Sequence, residues 1–200
     1  MFSFFEPQSI IAAVGLLGIT AIVFAETGLF FGFFLPGDSL LFTAGFLASQ
    51  GHVSMGLLLL CAFVAAIAGD TVGYFFGKKI GPKIFNKEDS LFFHKEHIAR
   101  SQHFFEKYGA KTIIIARFVP VVRTFAPILA GVGSMSYKTF IVFNILGAFI
   151  WTWSMIWAGY ALGRLIPDPD AYVLPIIAVI ILISSAPVLR QIWRIHISKK

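Results

Sequence analysis

Long apolar runs alternate with short polar interruptions along this chain, and the interruptions are as informative as the runs. Residues 9–25 form one apolar stretch, 27–49 a second that is broken at Pro36-Gly37-Asp38, and 53–76 a third. A polar segment occupies 78–111. The pattern resumes with a run at 112–136 broken at Pro120, then 137–163 and 171–189, and ends in a basic tail at 190–200. A helix rises ~1.5 Å per residue, so ~20 residues cross a ~30 Å hydrocarbon layer. Each half of the two broken runs is about ten residues, roughly half that thickness. The pattern therefore predicts an all-α polytopic membrane protein with about four full spans and two re-entrant hairpins, at 27–49 and 112–136.

The broken runs hold the charges. Residues 112–136 carry Arg117 and Arg123, and Pro120 and Pro127 interrupt them. Proline removes a backbone donor and clashes with the preceding turn, so a bend at Pro120 lets the two arginines converge where a straight helix would splay them. An arginine at the centre of a spanning helix costs at least ~2.5–3.5 kcal/mol, which makes it a functional signal. The competing reading is an ordinary span with snorkelling arginines, but snorkelling serves residues near helix ends and these lie mid-run. Irregular backbone at depth is tolerated only inside protein or beside a water-filled cavity.

In the first broken run, Glu26 marks the start and Asp38 sits at the break. Two hairpins would bring Glu26, Asp38, Arg117 and Arg123 to similar depth. Unpaired buried ions are expensive, so these groups are expected to pair with one another or with a ligand. A guanidinium offers a planar, permanently charged fork suited to phosphate. A carboxylate at that depth feels burial and neighbouring arginines in opposite senses, and is the group able to load and release a proton. The plainer alternative is that the four charges brace the fold.

An internal repeat links the two hairpins. Gly45 in TAGF matches Gly131 in LAGV at an offset of 86, and Gly73-Tyr74…Gly77-Lys78 matches Gly159-Tyr160…Gly163-Arg164 at the same offset. Each half reads as a broken hairpin followed by a spanning helix. Oppositely oriented halves of this kind are the architecture of secondary transporters, whose sites form at the midplane. Gly69, Gly73, Gly77 and Gly81 make a ridge at four-residue spacing, with Asp70 beside it. Such ridges let helices approach closely, and packing is the favoured reading over ligand binding.

Composition agrees with a membrane protein. Of 200 residues, 58% are hydrophobic and 13% charged, too apolar for an average soluble domain. The net charge of +6 does not point to nucleic acid, because eight of the sixteen Lys and Arg lie in 78–111 and others cluster in the tail. That distribution places both basic segments, and the C-terminus, in the cytoplasm. Phe92, Phe93, Phe104 and Phe105 among those charges suit an amphipathic segment on the membrane surface. His94, His97 and His103 could be read as metal ligands, but no cysteine or obvious carboxylate partner completes a closed site, so no metal and no cofactor is expected. Cys61 is the single cysteine, and the N-terminus reads as a retained first span rather than a signal peptide.

These motifs resemble the DedA family of bacterial inner membrane proteins, related to the VTT-domain lipid scramblases. The resemblance covers about residues 15–190. It is carried by Glu26, by FLPGDSLLFTAG with Pro36, Gly37 and Asp38, by GDTVGYFFGKKIG with Asp70, and by ARFVPVVRTFAPILAGVGSM with Arg117, Pro120, Arg123 and Pro127. It implies translocation of a phosphate-bearing lipid, undecaprenyl phosphate or a phospholipid, linked to the proton-motive force. It also implies an essential acidic pair at Glu26 and Asp38 and an arginine pair at Arg117 and Arg123, with membrane lipids and protons as partners.

Two other classes compete. A proton-coupled transporter or antiporter of a small ion or solute would use the same charges without a lateral opening to lipid. An intramembrane lipid enzyme would want a histidine or activated nucleophile at depth. His52, His94, His97, His103 and His196 all fall in loops or tails, so an enzyme is disfavoured.

Overall fold

The computed structural model of the chain describes residues 7–29, 35–85 and 107–165. Of the surface segment expected at 78–111, residues 86–106, with their phenylalanines and histidines, lie outside the described residues. So do the last span at 171–189 and the tail at 190–200. The described chain is all-helical: α1 Pro7–Gly28, α2 Gly37–Ser49, α3 Met55–Phe85, α4 Thr112–Ala116, α5 Pro120–Val132 and α6 Tyr137–Leu165. Two stretches are long and apolar enough to cross a membrane, Met55–Ile80 and Tyr137–Leu165. Their outer faces carry Leu57, Leu60, Val64, Val142, Leu146 and Phe149, all exposed, as a lipid-facing surface requires.

Several helix ends differ from the sequence expectation for physical reasons. The first span was expected to stop at Ala25, but α1 runs on to Gly28. Glu26 is not a boundary because its charge is paired inside the protein, and Thr27 returns its hydroxyl to the Val23 carbonyl at 3.0 Å. The span expected to end at Phe76 belongs to a helix that reaches Phe85. Lys78 and Lys79 limit what can enter hydrocarbon, but both are good helix formers.

The expected break in 112–136 falls at Arg117–Val119, between α4 and α5. Val119 precedes a proline and takes an extended conformation (φ −117°, ψ 106°), and Pro120 then opens α5, where its missing N–H costs nothing. The far end of α5 closes in a Schellman turn. Met135 N–H donates to the Ala130 carbonyl at 3.0 Å, Ser134 N–H to the Gly131 carbonyl at 3.2 Å, and Ser134 itself is left-handed at φ 60°. Ser136 then caps α6 by accepting from the Thr139 N–H at 3.2 Å.

The chain divides into two compact units. The first combines Met1–Ile19, Phe34–Leu60 and Trp153–Lys200, so it sets α2 against the C-terminal half of α6. Glycines make that contact. A Cβ at Gly45 would fall 2.8 Å from the Ile156 carbonyl carbon, and one at Gly159 would strike the Phe42 backbone and lie 3.0 Å from the Phe46 nitrogen. At the far end Gln50 donates to the Gly163 carbonyl at 3.0 Å.

The second unit combines Thr20–Phe33 and Cys61–Thr152. Here the glycine ridge of α3 is the packing surface. Gly69 meets the α1 backbone at Phe24 and Gly28, while Gly73 and Gly77 meet α5 at Ile128. Gly131 of α5 sits against the α3 backbone at Tyr74 and Lys78. Tyr74 is fully buried, stacks on Phe140 at 4.6 Å and donates its hydroxyl to the Met135 carbonyl that the Schellman turn presents. Gly73 faces Ile128, and Gly159 faces Phe42, at the offset of the sequence repeat. In both units the arm of one half's broken run therefore packs on the spanning helix of the other half.

Candidate functional site

The second unit gathers the charged residues of three separate stretches. Glu26 comes from the last turn of α1, Asp70 from the middle of α3, Arg117 from the break after α4, and Arg123 from the first turn of α5. All four are buried, with 0% exposure at Glu26 and 6% at most among the others. Arg123 Nη2 donates to Glu26 Oε1, and Arg117 Nη2 donates to Asp70 Oδ2. Each arginine thus faces one carboxylate, which is how charge is tolerated away from water.

The Arg117–Asp70 pairing is made through a single nitrogen of the arginine's fork. Among the described residues, Glu26 Oε2, Arg117 Nε and the Thr124 hydroxyl are buried with no hydrogen-bond partner. A fully satisfied fork would use two parallel N–H···O bonds. Unsatisfied buried polar atoms are rare enough in native proteins that a group of them calls for an explanation. This arrangement has the chemistry to take up a proton on a carboxylate or an oxygen-rich anion on a guanidinium.

Three contributors were not legible as site residues in the sequence. Asn144 on α6, fully buried, accepts from Arg117 Nη2 and donates to the Ile67 carbonyl of α3 at 3.2 Å. Trp151 is 1% exposed, with its ring 5.9 Å from the Arg117 guanidinium carbon and 5.0 Å from that of Arg123. Thr124 follows Arg123 directly. A polar side chain amid an apolar helix is a weak signal for Asn144, and nothing marks Trp151 out from its neighbours Trp153 and Trp157.

The other expected residues are placed within their own units. Asp38 belongs to the first unit, half-buried in the first turn of α2, where an acidic group favours the helix dipole. Pro36 and Gly37 open that helix. Pro127 sits inside α5 with its ring against Gly73. His52 is exposed between α2 and α3, and no group of three metal-ligating residues occurs among the described residues.

Membrane-crossing helices around a cluster of paired, buried arginines and carboxylates define an integral membrane protein with a polar site in its interior. Comparison with known proteins narrows this. The VTT domain matches residues 35–161. Protein DedA of Escherichia coli is 44% identical over 162 residues, covering 80% of this chain and 74% of its own. An uncharacterized membrane protein of Mycobacterium tuberculosis is 45% identical over 185 residues, 92% of this chain and 81% of its own. The inner membrane protein YqjA of Escherichia coli is 32% identical over 162 residues. The chain belongs to the DedA family of VTT-domain membrane proteins. No solved structure matches it.

Proposed function

We propose that this protein is a proton-linked translocase of a phosphate-bearing lipid, undecaprenyl phosphate or a phospholipid, in a bacterial inner membrane. The observation that carries this reading is the pairing of two buried arginines with carboxylates beside one tryptophan ring, with Arg117 Nε left without a partner. Arg117, bound to Asp70 through Nη2, keeps its Nε donor for a phosphate, and a protonated carboxylate no longer competes with it. Proton uptake at Glu26 or Asp70, with Asp38 as a further titratable group, would release an arginine to the lipid phosphate. Proton loss would return the arginine to its carboxylate and expel the lipid. In this reading the two broken runs are re-entrant hairpins of an inverted repeat, the C-terminus is cytoplasmic, and the protein is a transporter rather than an enzyme.

The test is translocation of undecaprenyl phosphate and of a phospholipid in proteoliposomes, with and without a pH gradient. Arg117→Lys and Arg123→Lys should fail nearly as badly as the alanine variants, because lysine offers a point charge and not a fork. Glu26→Gln, Asp38→Asn and Asp70→Asn should each remove the gradient dependence. Near-wild-type transport by both lysine variants would defeat the phosphate-fork reading. Gradient-driven uptake of a small solute with no lipid movement would favour the solute antiporter instead.

A further inference from the structure

One face of α6 takes no part in the proton exchange of that mechanism. Asn144, Gly147 and Trp151 stand at positions i, i+3 and i+7, so they share a helix face, and all three are buried. Asn144 makes two opposed bonds, accepting from Arg117 on Oδ1 and donating from Nδ2 to the Ile67 carbonyl. The second bond fixes which end of the amide faces the guanidinium. At Gly147 an added Cβ would lie 3.0 Å from Arg117 Cδ and 3.1 Å from its Nε, so the arginine lies flush along the helix. Trp151 stands against both guanidinium groups, which are therefore no further apart than their two ring distances combined. Unlike Asp70 and Glu26, the amide and the indole carry no charge and take up no proton.

We infer that Asn144 and Trp151 are positioning residues: they hold both guanidinium groups convergent on one anionic headgroup while the carboxylates exchange for it. This inference rests on the proposed function. Two cations that lose their counter-ions repel and drift apart in a low-dielectric interior. An amide oxygen and an aromatic face attract them without competing for the phosphate, because neither brings a negative charge. The face thus keeps the anion seat assembled through the step in which the ion pairs are open.

The experiment uses the full chain in phosphatidylcholine vesicles with a fluorescent short-chain polyprenyl phosphate as the probe, and the matching polyprenol as control. Trp151→Leu should raise the half-saturating probe concentration about tenfold, the effect of losing a desolvated cation–π contact. The maximal rate should stay within about twofold, because the residue positions the arginines and takes no part in the proton exchange. Trp151→Phe, which keeps a ring, should recover most of the loss. Asn144→Asp adds a competing anion and should abolish probe transport while the protein remains folded by thermal melt.

A second readout needs no loss-of-function variant. With Trp153, Trp157 and Trp193 replaced by Phe, the emission of Trp151 should change on adding the polyprenyl phosphate and not on adding polyprenol. Equal losses in the Phe and Leu variants, wild-type transport by Asn144→Asp, or an unresponsive Trp151 in a transporting protein would each overturn this inference alone. A wild-type protein that moves no phosphate-bearing lipid would overturn the proposed function, and this inference with it.

Discussion

The two units of this protein share a packing device and differ in what they bury. In the first, α2 and α6 touch backbone to backbone through Gly45 and Gly159. In the second, α5 and α3 do the same through Gly131 and Gly77. Glycines thus build the same kind of helix contact in both units, and close approach of this kind is what drives helix association where lipid competes with every apolar side chain. The second unit then adds Arg117 and Asp70, Arg123 and Glu26, with Asn144 and Trp151 around them. The difference teaches that the glycine contact is common to both units, whereas the Arg117–Asp70 and Arg123–Glu26 pairs belong to the second, where the proposed function assigns them their chemistry.

The comparison breaks most easily at the ion pairs. Arg117→Ala should cost about 3–5 kcal/mol, because it strands Asp70 as an uncompensated buried charge. Removing both partners, in Asp70→Ala with Arg117→Ala, should recover a large part of that loss. A double-mutant cycle on thermal stability in detergent checks this; a double variant less stable than the single would show that the pair itself holds the unit together.

Glycine substitutions come next and should treat the two units alike. Gly45→Val and Gly131→Val each drive a side chain into a neighbouring backbone, and overpacking of this kind costs about 1–3 kcal/mol. Size-exclusion profiles and melting curves should show similar losses for both. A large asymmetry would mean that the shared zipper supports the two units unequally.

Two smaller changes sharpen the picture of the second unit alone. Ser134 holds a left-handed conformation that costs a non-glycine residue roughly 1–2 kcal/mol, so Ser134→Gly should raise the melting temperature. Tyr74→Phe removes the hydroxyl that reaches the Met135 carbonyl, and membrane-embedded hydrogen bonds average only about 0.6 kcal/mol. Its effect should be barely resolved in a melt, whereas a large one would make that bond the latch of the α5–α6 turn.

Much of the site was legible because charge is conspicuous in an apolar run. Arg117, Arg123, Glu26 and Asp70 stand out against their neighbours, and Pro120 announces the break between the arginines. Asp70 was read only as a supporting residue, since its partner lies 47 positions away and spacing carries no information about pairing at that range. Asn144 and Trp151 escaped for the complementary reason. Their importance lies in what they touch, and an amide or an indole within an apolar helix bears little mark of its contacts. The repeat told which segments are alike, but likeness does not say which of them pack together. The glycines could pair within a half or between halves, and only the fold distinguishes the two.

That crossed pairing constrains how the protein is made. Gln50 and the carbonyl it reaches are 113 positions apart in the chain, and Glu26 and Arg123 are 97 apart. Loop closure over such distances must precede any reward from the contact, so neither unit matures from locally synthesised pieces. A ribosome that has delivered α1, α2 and α3 has delivered unmatched faces of both units and the complete form of neither. Translation must run through Gly163 before α2 can settle. A chain cut short earlier would leave the insertion machinery with an open helix face to hold or discard. Neither half of the chain is a module by itself, because each unit draws helices from both.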